Sequence, residues 1–438
     1  METAVINPIS AGDTAWVLAS AALVMLMTPG LAFFYGGMVR RKNVLGVLMQ
    51  CMGTLALVSV LWVLYGYSLA FGKGSPFIGG LEWFGLNGVG QEPSTSYGTT
   101  IPHLAFMIFQ AMFAIITPAL IIGAFAERVK FSAFILFTVL WLTFVYAPVC
   151  HMVWAVDGWI LGMGALDFAG GTVVHINAGV AGLVTALFVG KRIGIDKPSL
   201  HNIPFVVLGG ALLWFGWFGF NAGSALAANG LAASAFVVTN TAAAMAALTW
   251  ATLEWIFSGK PTMFGTITGA VAGLVAITPA SGFVDVGASL WIGALVSVFC
   301  YFVVSVVKPK LGYDDSLDAF GVHGIGGFWG AIATGIFASK AVNSAGSGLL
   351  DGNAAQLWIQ FKAAGITVVY CAVVTWIICF IVDKTIGMRV KPEHESMGLD
   401  LTQHHERAYT MIELNRKRVT KRRIFHEISY CYYPALQA

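Results

Sequence analysis

The sequence predicts an all-α polytopic membrane protein: eleven transmembrane helices forming an inverted five-helix pseudo-repeat plus one extra helix, N-terminus outside and C-terminus inside. Three observations carry this expectation. The 438 residues are 58% hydrophobic and only 10% charged, with 51 glycines, which is far from the composition of a water-soluble domain. Apolar runs long enough to cross roughly 30 Å of hydrocarbon recur along the chain. Lys and Arg gather on one side of those runs, as they do on the cytoplasmic side of a membrane.

The runs fall at 14–39, 44–72, 103–126, 131–155, 170–190, 203–226, 233–258, 262–281, 286–307, 320–338 and 356–383. No Lys or Arg precedes the first, so it reads as a retained span and not as a secretory leader. Pro29-Gly30, Pro118 and Pro279 interrupt helical runs and would release backbone carbonyls, which is tolerable only away from lipid; they are read as bends. Segments 73–102 and 339–355, rich in turn residues, read as external loops. Residues 1–385 read as the transmembrane domain and 386–438 as a cytoplasmic regulatory tail, expected to be too short for a catalytic domain.

Connections after odd-numbered spans carry Arg40, Arg41, Lys42, Arg128, Lys130, Lys191, Arg192, Lys197, Lys260, Lys308 and Lys310, and the tail from Lys384 to Arg423 adds ten more. Only Lys73, Lys340 and Lys362 lie on the other side, which sets the orientation. The tail's positive charge is what topology requires and gives no indication of nucleic acid. Cys51, Cys150, Cys300, Cys371 and Cys379 lie in or beside apolar runs and Cys431 in the tail, without CxxC spacing, so neither a disulfide framework nor a metal site is indicated. No cofactor is called for.

Two histidines, His175 and His323, sit inside apolar runs, where an ionisable side chain is a functional hypothesis by default. A buried imidazole costs little when neutral and much when charged, so a neutral pair able to pass a proton is the expected state. Asp167 precedes His175 by eight residues and Asp318 precedes His323 by five. Taken singly, a His in a span is more often a helix-tying polar contact. Spans five and ten run in opposite directions, and their local sequences resemble one another: Leu166-Asp167, His175, Gly179, Gly182, and Leu317-Asp318, His323, Gly324, Gly326, Gly327, Gly330. A five-span unit must invert in its second copy, and such repeats build transport pathways at their interface. Dense small residues suit close helix packing.

The stretch Asp167-Phe-Ala-Gly-Gly-Thr-Val-Val-His175-Ile-Asn-Ala-Gly-Val-Ala-Gly-Leu183 closely resembles the signature of the ammonium transporter (Amt/MEP/Rh) family, and so does Phe320-Gly-Val-His323-Gly-Ile-Gly-Gly-Phe328. The resemblance extends from Pro29-Gly-Leu-Ala-Phe-Phe-Tyr35 through Gly398-Leu-Asp-Leu401 and is strongest to the bacterial and archaeal Amt branch. It implies an eleven-span homotrimer of the plasma membrane with one narrow pore per subunit, and gives His175 and His323 the role of a pore relay. It also implies an outer ammonium site at Phe109, Trp154 and Ser224, with Phe113 and Phe220 as a gate beneath. By spacing alone these would be ordinary core aromatics.

Elementary chemistry agrees. Ammonium is close to potassium in size, so a pore that admits the cation discriminates poorly, whereas one that removes a proton selects for a cation able to lose one. A bare cation in an apolar constriction costs on the order of tens of kcal/mol. Neutral ammonia escapes most of that cost, and two imidazoles, each with one donor and one acceptor nitrogen, can guide it. Aromatic faces above the constriction attract a cation by about 2 kcal/mol per desolvated ring. Asp167 and, more strongly, Asp318 read as helix N-caps in support of the histidines, with an electrostatic share in recruitment. His103 and His151 fall at outer span ends and take no part in the relay.

Gly398-Leu-Asp-Leu-Thr-Gln-His-His-Glu406-Arg-Ala-Tyr409 resembles the family's cytoplasmic segment, which packs under the neighbouring subunit and governs regulation by PII-type signalling proteins; at His405 that pattern has Gly. Beyond Tyr409 the resemblance stops. The basic run 416–423 reads as a solvated or lipid-facing segment, or as a linker to a downstream output domain. The rival readings are an ammonium sensor that reports pore occupancy through the tail, a membrane enzyme or metal protein using both histidines, which lacks a third ligand, and an aquaporin-like channel, which lacks paired Asn-Pro-Ala half-helices.

Overall fold

The computed structural model describes residues 9–194 and 200–409; the basic run 416–423, the stretch after it and Cys431 lie outside the described residues. Helices α1 (Ala11–Met38), α2 (Arg41–Phe71), α3 (His103–Phe125), α4 (Phe131–Gly162), α5 (Gly171–Val189), α6 (Ile203–Gly223), α7 (Gly230–Ser258), α9 (Val286–Leu311), α10 (Phe320–Phe337) and α11 (Ala354–Ile386) are each long and apolar enough to span a membrane. The eighth run forms α8 (Met263–Ile277), a shorter apolar helix of 15 residues. The eleven runs read from the sequence therefore appear as eleven helices among the described residues. One expectation changes: Pro279 does not bend a helix running on to 281. The helix stops at Ile277, and the proline ring packs where any side chain on Gly171 would collide with it (2.4 Å).

Helix starts follow from capping side chains. Ser10, Asn202, Asn229, Thr262 and Asp285 each accept a backbone N–H from the first turn of the helix they precede. Gly190, Gly259, Gly312 and Gly387 close α5, α7, α9 and α11 at positive φ. A two-residue hairpin, β1 (Gly74–Ser75) with β2 (Ile78–Gly79), lies in the loop after α2.

The inverted repeat is visible in the packing. α1 lies along α6, its counterpart in the second half, and α5 lies against α10. The α5–α10 crossing is antiparallel and glycine-lined: a Cβ on Gly179 would fall 2.2 Å from the Gly324 nitrogen, and one on Gly327 would fall 2.9 Å from the His175 Cβ. Gly179 follows His175 by four residues and Gly327 follows His323 by four, so each histidine's helix carries the seat for the other. Both histidines sit in one-turn π-helical segments, Gly171–Ile176 and Phe320–Gly324, an irregularity common at functional sites.

At the end bearing the basic connections, buried charges tie the loops together. Glu127, in a left-handed conformation (φ 76°), accepts from Arg40 Nε, Arg192 Nη1 and Asn43 Nδ2 at 2.8–3.0 Å. Arg192 also holds Asp314 at 2.8 Å. Burial alone would raise the Glu127 carboxyl, but Arg192, Arg40 and Asn43 outweigh it and hold it below the usual value; Asp314 is lowered in the same way by Arg192 and Arg128. Because both folded-state values are depressed, their stabilisation is present above the ordinary carboxylate range and is lost as pH falls through the folded values. Glu127→Gln is expected to cost about 3 kcal/mol by leaving two guanidinium groups short of a counter-charge. Thermal unfolding in detergent at neutral pH checks this, and the difference from the parent should shrink below about pH 4.

The tail continues this network. Helices α12 (Pro392–Met397) and α13 (Leu399–His404) dock on the start of α2, with the Leu399 N–H donating to Asn43 Oδ1 (2.8 Å) and the Gly46 N–H to Asp400 Oδ1 (2.9 Å). Glu395 accepts from the Ile193 N–H and from Arg389. His405 closes α13 at φ 57°, the left-handed turn that a glycine would take without strain.

Candidate functional site

At the opposite end, a cavity of about 170 Å³ opens among Phe71, Tyr97, Phe106, Gln110, Phe113, Trp154, Phe168, Ser224 and Leu226. Trp154 ends the α4 helix segment and is oriented by its indole N–H, which donates to the Asp167 carbonyl (2.9 Å). Ser224 caps α6 and donates to the Phe220 carbonyl (2.9 Å). Phe113 forms the floor, its ring edge-on to Trp154 (centroids 5.8 Å) and tilted onto Phe220 at 4.3 Å.

Phe109 packs behind Phe113, fully buried and edge-on to it at 5.0 Å. Its ring lies where a Cβ on Gly223 would come within 2.9 Å, so the bare glycine makes room for it against α6.

Beneath Phe113 the rings continue in sequence. Phe220 stacks on His175 (5.9 Å), and His175 stacks on His323 (5.3 Å, 19° between planes). The facing Nδ1 atoms are 3.3 Å apart, at the long edge of hydrogen bonding. The imidazoles are almost wholly excluded from solvent, at 1% and 4% exposure. His175 Nε2 is buried without a hydrogen-bond partner among the described residues. A buried polar nitrogen of this kind is costly unless something passing through meets it. Trp217 stacks on His175 at 5.3 Å, fixed by its indole N–H to Thr278 Oγ1 (2.8 Å). Beyond the pair, His323 forms part of the wall of a second cavity of about 20 Å³ that also touches Tyr35, Met38, Thr268 and Asp318.

The supporting aspartates divide differently from the sequence expectation. Asp167 accepts the N–H groups of Gly170, Gly171, Thr172 and Val173 at 2.7–3.2 Å and so caps the helix that carries His175. In the second half the capping residue is Asp315, which accepts from Ala319 and Phe320. Asp315 lies eight residues before His323, the same spacing as Asp167 to His175. Asp318 instead lies at φ 59° and its carboxylate pairs with Lys308, so the capping side chain is that of Asp315. Asp167→Ala is expected to lower stability by about 2 kcal/mol, with Asp167→Asn about half as damaging because one acceptor oxygen survives; thermal unfolding midpoints in detergent report both.

Sequence reasoning missed Trp217, Asp315 and Gln360. Trp217 stands one helical turn before Phe220 and Asp315 repeats the eight-residue spacing, so both carried a readable signal. Gln360 of α11 accepts the Leu166 N–H and donates to the Leu166 carbonyl, each at 2.7 Å, steadying the loop before Asp167; nothing in its local sequence marks it.

The rings of Phe113, Phe220, His175 and His323 follow one another from the first cavity to the second, within the helices of a multi-pass plasma-membrane protein. The sequence model of the Ammonium Transporter Family matches residues 15–409, and the chain belongs to that family. It is 56% identical over 399 residues to the ammonium transporter of Bacillus subtilis, covering 91% of this chain and 98% of that one. It is 50% identical to ammonium transporter Amt1 of Archaeoglobus fulgidus, covering 92% and 100%. Among solved structures, Mep2 of Saccharomyces cerevisiae superposes with a TM-score of 0.83 at 35% identity over 88% of each chain. A structure titled Sensor Amt Protein superposes at 0.81 with 28% identity, covering 90% of this chain and 98% of that one.

Proposed function

We propose that this protein carries ammonium across the plasma membrane, recruiting the cation at Phe109, Trp154 and Ser224, releasing its proton near the Phe113–Phe220 gate, and guiding neutral ammonia past His175 and His323, which relay the proton. Asp167 and Asp315 hold the two histidine helices in place. The observation that carries this reading is the unbroken ring path with an orphaned imidazole nitrogen at its centre. A relay needs one donor and one acceptor nitrogen on each ring, which neutral imidazoles supply. Charge passed as a separate proton avoids the desolvation that an intact cation would suffer.

The working form is a homotrimer with a pore in each subunit, and the docked tail offers a lever for a PII-type signalling protein or a downstream output domain. A second reading, an ammonium sensor, draws on the likeness to the Sensor Amt structure. Uptake of radiolabelled methylammonium by the purified chain in liposomes separates the two: a transporter accumulates label inside the vesicle, and a sensor binds it stoichiometrically without accumulation.

A further inference from the structure

The Asp318 side chain does not cap the helix it precedes. Asp315 caps the His323 helix, yet Asp318, three residues on, adopts a left-handed backbone conformation that costs a non-glycine residue energy. Asp318 is one of the residues that wall the small cavity together with His323. That space, about 20 Å³, accommodates one water-sized molecule. The carboxylate is not left alone: Lys308, from the end of α9, places its Nζ 2.5 Å from Asp318 Oδ1, and both side chains remain about one-fifth exposed. Lys308 is thus an alkylammonium seated on the carboxylate of a residue that walls the cavity beside His323, on a path whose proposed permeant is the parent ammonium.

We propose that Asp318 is a cation site at the basic-end mouth of the conduit and that the Lys308 ammonium is its tethered occupant, displaced whenever an ammonium ion enters or leaves at that end. The proposal rests on the transport reading above. Three features of the site suit exchange. The pair is partly exposed, so it is worth little net energy and opens readily. A tethered ammonium fills the site between passages and excludes other cations. The carboxylate offsets the surrounding basic charge, which would otherwise repel a cation at this face.

The test uses the full chain in liposomes: parent, Lys308→Met, Lys308→Gln, and the double variant Lys308→Met with Asp318→Asn. Initial methylammonium uptake is measured in potassium chloride and in choline chloride of equal ionic strength on both faces. The parent and the double variant should show the same rate in the two salts. Lys308→Met and Lys308→Gln should be slowed by about threefold in potassium, the scale of one partly exposed ion pair, because the bared carboxylate now holds potassium. Including the glutamine variant keeps the test valid should the methionine variant fail to fold. Potassium-insensitive uptake by the single variants, or persistent sensitivity in the double variant, would show that the pair only staples α9 to α10. Failure of the parent to accumulate methylammonium would instead overturn the transport reading.

Discussion

Liposomes carrying the chain with both His175→Leu and His323→Leu are expected to lose at least about a hundredfold of their ammonium-selective current, the lower bound for removing positioned proton-transfer groups. The two rings stack on each other and on Trp217 and Phe220, so leucines of comparable volume preserve an apolar lining while removing every donor and acceptor at the centre. What remains is a wall that neither guides ammonia nor accepts its proton. Current recorded after an ammonium pulse, with protein incorporation measured in the same vesicles, reads this out. Undiminished current with continued exclusion of potassium would refute the relay.

Gly179→Ala is expected to be strongly damaging to both folding and transport. Its Cβ would fall 2.2 Å from the Gly324 nitrogen and 2.4 Å from the Gly324 Cα, and these are backbone atoms with no rotamer to yield. Overpacking of this kind costs about 1–3 kcal/mol when side chains can move, and more when two helices must part. Parting α5 from α10 also separates the imidazoles, so transport should fall further than stability. Gly327→Ala probes the reciprocal seat. Gly365→Ala is the control: nothing beyond its own helix backbone and chain neighbours lies within 4 Å of its Cβ position, and a helical glycine there should be replaced with a gain of about 0.5–1 kcal/mol. Thermal unfolding and methylammonium uptake, measured on all three variants, check the ordering. Equal behaviour of Gly179→Ala and Gly365→Ala would mean that the crossing is not tight.

The membrane spans were legible because lipid imposes one demand on length and composition, and each apolar run in the sequence became a helix. The ends of α8 were less so, since Pro279 acts through its tertiary contact with Gly171 and not through the run itself. His175 and His323 stood out by charge type in an apolar context. Their neighbours were harder to place. Asp318 drew the capping role because it lies nearer to His323, but the eight-residue spacing that singles out Asp315 was present in the sequence all along. The packing of Phe109 behind Phe113 depends on the missing side chain of Gly223 on another helix. Gln360 and Glu127 act on partners 194 and 87 residues away, respectively. No local pattern announces such contacts.

The central claim is that ammonium crosses by giving up a proton, and it is tested most directly by pulsing ammonium and then potassium at equal concentration onto vesicles containing the unaltered chain. Charge movement and lumenal pH are recorded together. The account predicts uptake and current with ammonium and none with potassium, a cation of similar size that has no proton to lose. Potassium current comparable to that of ammonium would contradict it, because the cation would then be passing intact.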